Sequence, residues 1–168
     1  MRDIEINLHL PMKGKRVLVL GSDGAVRGAL LPFIGARPAE LVIANRDVAK
    51  AHALVAQAAA GNSLIACGYG DLEQMGRFDL VVNATSASLT GDLPPVPPGV
   101  FSSTEPAYEL AYGKGLTPFM RLARDAGVLG IADGVGMLVE QAAEAFAWWR
   151  GVRPQTRSVI DQLVVPLN

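Results

Sequence analysis

Two short stretches hold residues that could bind phosphate. The first is Gly21-Ser22-Asp23-Gly24-Ala25, within GSDGAVRG after the apolar run Val17-Leu18-Val19-Leu20. A glycine turn between a strand and a helix lets backbone N–H groups at the helix N-terminus reach an anion. The second is Asn45-Arg46-Asp47, with Lys50 one helical turn further on. Arg46 and Lys50 can converge on one dianion, and arginine offers the bidentate fork that phosphate favours. In a dinucleotide-binding fold the first position takes a pyrophosphate and the second reads the adenosine ribose. An acid there accepts the 2′-OH of NAD, and a basic pair accepts the 2′-phosphate of NADP. Each stretch also has a plain reading, as a strand-to-helix turn and as a solvated helix start with Asp47 as N-cap.

The glycine loop departs from G-x-G-x-x-G at Asp23, which stands where the second glycine would let the backbone approach the pyrophosphate. At ~5 Å and an effective dielectric of ~20, one like-charge pair costs about 3 kcal/mol, or ~100-fold in affinity. Asp47 adds a second acid beside the proposed 2′-phosphate position. Unless Asp23 turns to solvent or caps the helix, both acids predict weak nucleotide binding.

These positions need a sheet whose strand ends converge. Val17–Leu20 and Leu41–Ala44 are apolar without alternation, as strands covered on both faces are. A helix is expected from about Ala25 to Ile34, and another from Asp47 to Ala60 closed by Gly61-Asn62. A weaker strand at Ser63–Cys67, a short helix at Asp71–Met75 and a strand at Phe78–Asn83 follow. That alternation implies a Rossmann-like, doubly wound α/β fold, a mostly parallel sheet with helices on both faces. A proline-dense loop spans residues 91–98. Beyond it come a strand near Ala107–Leu110, a helix opened by Thr117-Pro118 and running to Asp125, and a short strand within Gly127–Ile131. A long helix at Gly134–Trp149 has its apolar face expected at Met137, Ala145, Phe146 and Trp149. The alternation Ile4, Ile6, Leu8, Leu10 fits a short edge strand or a helix end.

With 168 residues, half of them hydrophobic and 18% charged, the chain suits one domain with a substantial core. A net charge of -1 without a basic stripe argues against nucleic acid as a partner. The single cysteine, Cys67, fits a reducing, cytoplasmic setting, and two histidines without an acidic or thiol cluster leave no expected metal site. No apolar run reaches the ~18 residues of a membrane span, so a small molecule is the expected partner. The oligomeric state stays open.

Three further blocks matter in combination. Asn83-Ala84-Thr85-Ser86 ends a strand. Tyr108-Glu109-Leu110-Ala111-Tyr112 runs on to Thr117-Pro118-Phe119. Ala132-Asp133-Gly134-Val135-Gly136-Met137-Leu138-Val139-Glu140-Gln141-Ala142 opens the long helix. With the glycine loop and Asn45-Arg46, these five blocks resemble, in order and spacing, the C-terminal cofactor-binding half of shikimate dehydrogenases. The resemblance covers about Lys13 to Arg153. Glu109 stands where the family usually has Asp, and Asp47 where Thr is common.

The resemblance implies NADP-dependent interconversion of 3-dehydroshikimate and shikimate. Carried over by position, Gly21, Ser22, Asp23, Gly24 and Ala25 face the pyrophosphate, and Asn45, Arg46, Asp47 and Lys50 the 2′-phosphate. Thr85 and Ser86 line the cleft, and Leu110, Gly134 and Met137 border the nicotinamide. Tyr112 and Gln141 reach the substrate. Residues 1–12 are expected to be an interdomain linker remnant and 13–168 the NADP-binding domain, ending in helices. The family's catalytic Lys and Asp are expected in an N-terminal domain not seen in this sequence, so no catalytic residue is assigned and the isolated chain is expected not to turn over shikimate. Two alternatives stand beside this reading: an NAD-using quinate/shikimate dehydrogenase-like paralogue, with Asp47 on the ribose, and a non-catalytic nucleotide-sensing or interaction module.

Overall fold

The computed structural model describes residues 1–58, 63–103, 105–113 and 115–167. Six parallel strands form one sheet in the order β3-β2-β1-β4-β5-β6: β1 (Arg16–Leu20), β2 (Glu40–Ala44), β3 (Leu64–Cys67), β4 (Leu80–Asn83), β5 (Ala107–Glu109) and β6 (Ile131–Ala132). The strand order reverses between β1 and β4, where a doubly wound sheet opens a crevice at its carboxyl edge. The fold is Rossmann-like, as expected, with every named strand pair parallel.

The unbroken apolar runs follow from two-sided burial. Val17 and Val19 of β1 pack with Val26, Leu30 and Phe33 of α1 (Gly24–Gly35) and with Ala51 and Leu54 of α2 (Val48–Gln57). Leu18 and Leu20 face the other way, onto Phe119, Met120 and Ala123 of α5 (Pro118–Asp125). Each strand residue therefore meets a helix on one face or the other, and alternation has no polar side to mark. Two one-turn helices, α3 (Leu72–Met75) and α4 (Ala87–Thr90), follow β3 and β4.

The expected helix end at Ala60 and its closing Gly61-Asn62 lie outside the described residues; within them α2 reaches Gln57. The first residues form a single wide turn at Asp3–Asn7, not a strand, and both Ile4 and Met12 are buried in the core. The last strand begins at Ile131, at the end of the expected segment.

Helix α6 (Val135–Arg150) packs Met137 of the expected apolar face against the core and corrects the face at Phe146 and Trp149. Its inward stripe is Val135, Val139 and Ala143, with Gly136 and Glu140 beside it, while Phe146 is 45% exposed and Trp149 79%. The inner stripe is short because Glu140 interrupts it. That carboxylate accepts hydrogen bonds from Arg2, Asn7, Arg153 and Thr156, tying the first turn and the start of α7 (Arg157–Leu163) to α6.

Candidate functional site

The loops after β1 and β4 meet at the reversal of strand order. Gly21 has φ +106°, a backbone conformation that side chains resist, and its N–H donates to the Ala44 carbonyl at 2.8 Å. A Cβ there would lie 3.1 Å from the Ala84 carbonyl oxygen. The positive φ selects glycine at this point, and a Cβ would also press on the Ala84 carbonyl where the two loops meet.

The cleft so formed is lined by Gly21, Asp23, Asn45, Arg46, Tyr69, Thr85, Ser86, Ala87, Thr90, Asp92 and Leu93-Pro94-Pro95. Six expected residues converge there: Gly21, Asp23, Asn45, Arg46, Thr85 and Ser86. Ser22 sits behind the loop, buried, and its Oγ accepts from Asn45 Nδ2 at 2.6 Å. Asn45 Oδ1 in turn accepts the Arg46 N–H at 2.9 Å. One asparagine thus fixes the first loop to the segment carrying Arg46.

Asp47 does not line this cleft. It is the N-cap of α2, and its side chain accepts from the Lys50 N–H at 3.4 Å. Lys50 is exposed on the first turn of α2 and lies outside the cleft lining. Asp23 holds the N-cap position of α1 without making the cap bond, and it is among the residues that line the cleft. Burial pushes the Tyr69 phenol above its ordinary range, with Arg46 opposing and Asp23 adding to the shift, so both charges act on the same ring.

A second, apolar recess lies along the start of α1. Ala25, Val26, Ala84, Tyr108, Leu110 and Met137 are among its walls. It brings Leu110, Met137 and Ala25 together. Gly134 supports it from behind: a Cβ at 134 would stand 2.1 Å from the Leu110 carbonyl oxygen. Gly24, by contrast, has open space around it. Tyr112 is 46% exposed and Gln141 is exposed, and neither lines the cleft or the recess.

Tyr69, Thr90, Asp92 and the Leu93-Pro95 rim escaped the sequence reading. A signal existed for Tyr69, since it is the second residue after β3 and carboxyl ends of parallel strands face the crevice. The proline rim was legible only as a stiff loop.

Two family models match: "Shikimate / quinate 5-dehydrogenase" over residues 5–90, and "Shikimate 5'-dehydrogenase C-terminal domain" over residues 134–164. The chain is 49% identical over 163 residues to a shikimate dehydrogenase (NADP(+)) of Nitrosospira multiformis, covering 97% of this chain and 59% of that protein. It is 52% identical over 167 residues to the enzyme of that name from Aromatoleum aromaticum, with the same coverage. The crystal structure of an Ael1 enzyme from Pseudomonas putida superposes with a TM-score of 0.93 at 64% identity, over 99% of this chain and 61% of that one. The chain thus spans about 59% of the length of the curated relatives it matches.

Proposed function

Because the chain belongs to the shikimate/quinate 5-dehydrogenase family, we propose that it is the nucleotide-binding part of an NADP-dependent shikimate dehydrogenase. The observation that carries this is the meeting of Gly21, Arg46, Thr85 and Ser86 around one cleft at the reversal of strand order. The cleft fits the cofactor. The Gly21 turn brings the loops after β1 and β4 together without a side chain between them, and Arg46 and Ser86 are among the polar residues that line the cleft. Tyr69 and the Pro94-Pro95 rim offer flat apolar surface for the base. Leu110 and Met137, with Gly134 packed against the Leu110 backbone, would border the nicotinamide. NADP supplies the hydride acceptor for oxidation of shikimate at its 3-hydroxyl.

Arg46 favours NADP over NAD because it can take a 2′-phosphate, while one oxygen of Asp47 is engaged at the α2 cap instead of being offered to a ribose hydroxyl. Weak binding follows from Asp23, whose charge lines the cleft. Tyr112 and Gln141, both exposed, are available to a substrate outside the cofactor cleft. The residues assigned here position the cofactor, and none of them is assigned the protonation of the reacting oxygen.

Isothermal titration with NADP and NAD tests this reading. Binding of NADP weaker than micromolar, yet ~10-fold or more tighter than NAD, is the expected result. No binding of either nucleotide at millimolar concentration, or a preference for NAD, overturns it. A steady-state assay of this chain with shikimate and NADP is expected to show no turnover at enzyme-like rates. The placement of Asp23 also favours a second reading, a nucleotide-sensing module without catalysis. The two separate on whether the chain restores shikimate oxidation when mixed with a substrate domain from a relative.

A further inference from the structure

Glu109 is fully buried at the end of β5, yet it makes no ion pair with any described residue and takes hydrogen bonds from neutral groups of three separate segments. Its Oε2 accepts from Asn83 Nδ2 at 2.9 Å, from Ser88 Oγ at 2.6 Å and from Thr117 Oγ1 at 3.1 Å, and its Oε1 accepts the Ala111 N–H at 3.2 Å. Asn83 ends β4, Ser88 belongs to α4, and Thr117 caps α5 by accepting the Met120 N–H.

The consequence lies in Asn83. Its amide could face either way, and partners of fixed character decide the matter: the Glu109 carboxylate, which only accepts, at one end and the Thr85 N–H, which only donates, at the other. The Glu109 carboxylate draws the Asn83 NH2 toward itself, which turns Oδ1 to the loop. There Oδ1 accepts the Thr85 N–H at 3.2 Å and the Thr85 hydroxyl at 2.8 Å, and Thr85 Oγ1 accepts the Ala87 N–H at 3.3 Å. With the amide reversed, two N–H groups would confront each other at Thr85.

We propose that Glu109 is a positioning residue, whose buried carboxylate sets the direction of the Asn83 amide and so holds Thr85 and Ser86 facing the cleft. Burial raises the Glu109 pKa above the ordinary carboxylate range, while the four hydrogen bonds pull it back. Such a site is costly to keep for stability alone. The affinity consequence rests on the nucleotide reading above; the structural consequence does not.

Two variants test it. Glu109→Leu removes the acceptor, and Glu109→Gln keeps an oxygen in the Oε2 position. Amide hydrogen exchange of the chain without nucleotide is expected to accelerate ~10-fold or more at Thr85 and Ala87 in E109L, with the β1 and β2 amides unchanged, and E109Q is expected to recover most of the protection. NADP affinity is expected to fall ~10-fold in E109L and by less in E109Q. Loop amides exchanging at wild-type rates in both variants overturn the proposal. So does uniform acceleration across the sheet in E109Q, which marks a merely structural role. Should E109L fail to fold, the unbranched Glu109→Met, which also removes the acceptor, takes its place: loop amides faster at Thr85 and Ala87 alone support the proposal, and wild-type rates there overturn it. If wild-type protein fails to bind NADP, the nucleotide reading fails, and the exchange data still judge Glu109.

Discussion

Gly134 rests against the backbone of Leu110 so closely that a Cβ at 134 would stand 2.1 Å from the Leu110 carbonyl oxygen and 2.9 Å from its carbon. The obstacle is backbone, not a side chain that can rotate away. Gly134→Ala should therefore push the β5 end and the start of α6 apart, at an overpacking cost of about 2–3 kcal/mol. A thermal melt should show Tm lower by roughly 4–12 °C. A melt unchanged from wild type would mean the two segments separate without penalty.

Asp23 lines the same cleft as Arg46. Asp23→Asn removes the charge while keeping a side chain suited to the α1 N-cap position. Titration calorimetry should give NADP binding ~10- to 100-fold tighter in the variant. Equal affinities would place the wild-type carboxylate too far from the phosphates to matter.

Removing Arg46 should act on discrimination. Arg46→Ala is expected to weaken NADP ~10-fold or more and leave NAD nearly unaffected, erasing the preference between them. Parallel loss for both nucleotides would instead assign Arg46 to the base or the pyrophosphate.

Acid stability should report on Glu140. Burial alone would raise this carboxyl, but hydrogen bonds from Thr156, Asn7, Arg153 and Arg2 outweigh it and hold the pKa at about 2, against an ordinary 4.5. A carboxylate depressed in the folded state contributes stability above its unfolded pKa and loses it as pH falls toward the folded value. The contribution, up to roughly 3 kcal/mol, should be complete above pH 5 and fade between about pH 4.5 and 2. Urea midpoints of wild type and Glu140→Gln should differ at pH 7 and converge toward pH 3; a constant gap would contradict the assignment.

Cys67 lies at the end of β3, and burial, with a smaller effect from Asp71, raises its thiol pKa from 9.0 to about 11. The thiolate is the reactive form, so native protein at pH 8 should react with a disulfide reagent ~100-fold more slowly than the urea-unfolded chain. Comparable rates would show that the β3 end opens readily.

The strand runs at Val17–Leu20 and Leu41–Ala44 were legible because two-sided burial leaves a mark in composition, and the glycine turn because φ +106° selects one residue type. The ordered blocks then located Thr85 and Ser86, which a strand-end rule would have reached unaided. Partners distant in sequence left no such mark. The inward stripe of α6 depends on Glu140 meeting Arg2 and Asn7, over 130 residues away, and a pattern of apolar residues alone pointed to Phe146 and Trp149 on the outside. Asp47 read equally as a phosphate neighbour and a helix cap until its bond to the Lys50 N–H was seen.

The pairing of β1 with β4 has a kinetic meaning. Val17 lies beside Leu80 in the register, so the centre of the sheet closes only after the chain has supplied two intervening strands and their helices. Such distant pairing makes folding slow relative to a chain of local contacts. The cleft shares that timing, because one wall follows β1 and the other follows β4. A nascent chain halted before β4 holds no cleft, and a ligand that occupies it stabilises the completed sheet alone.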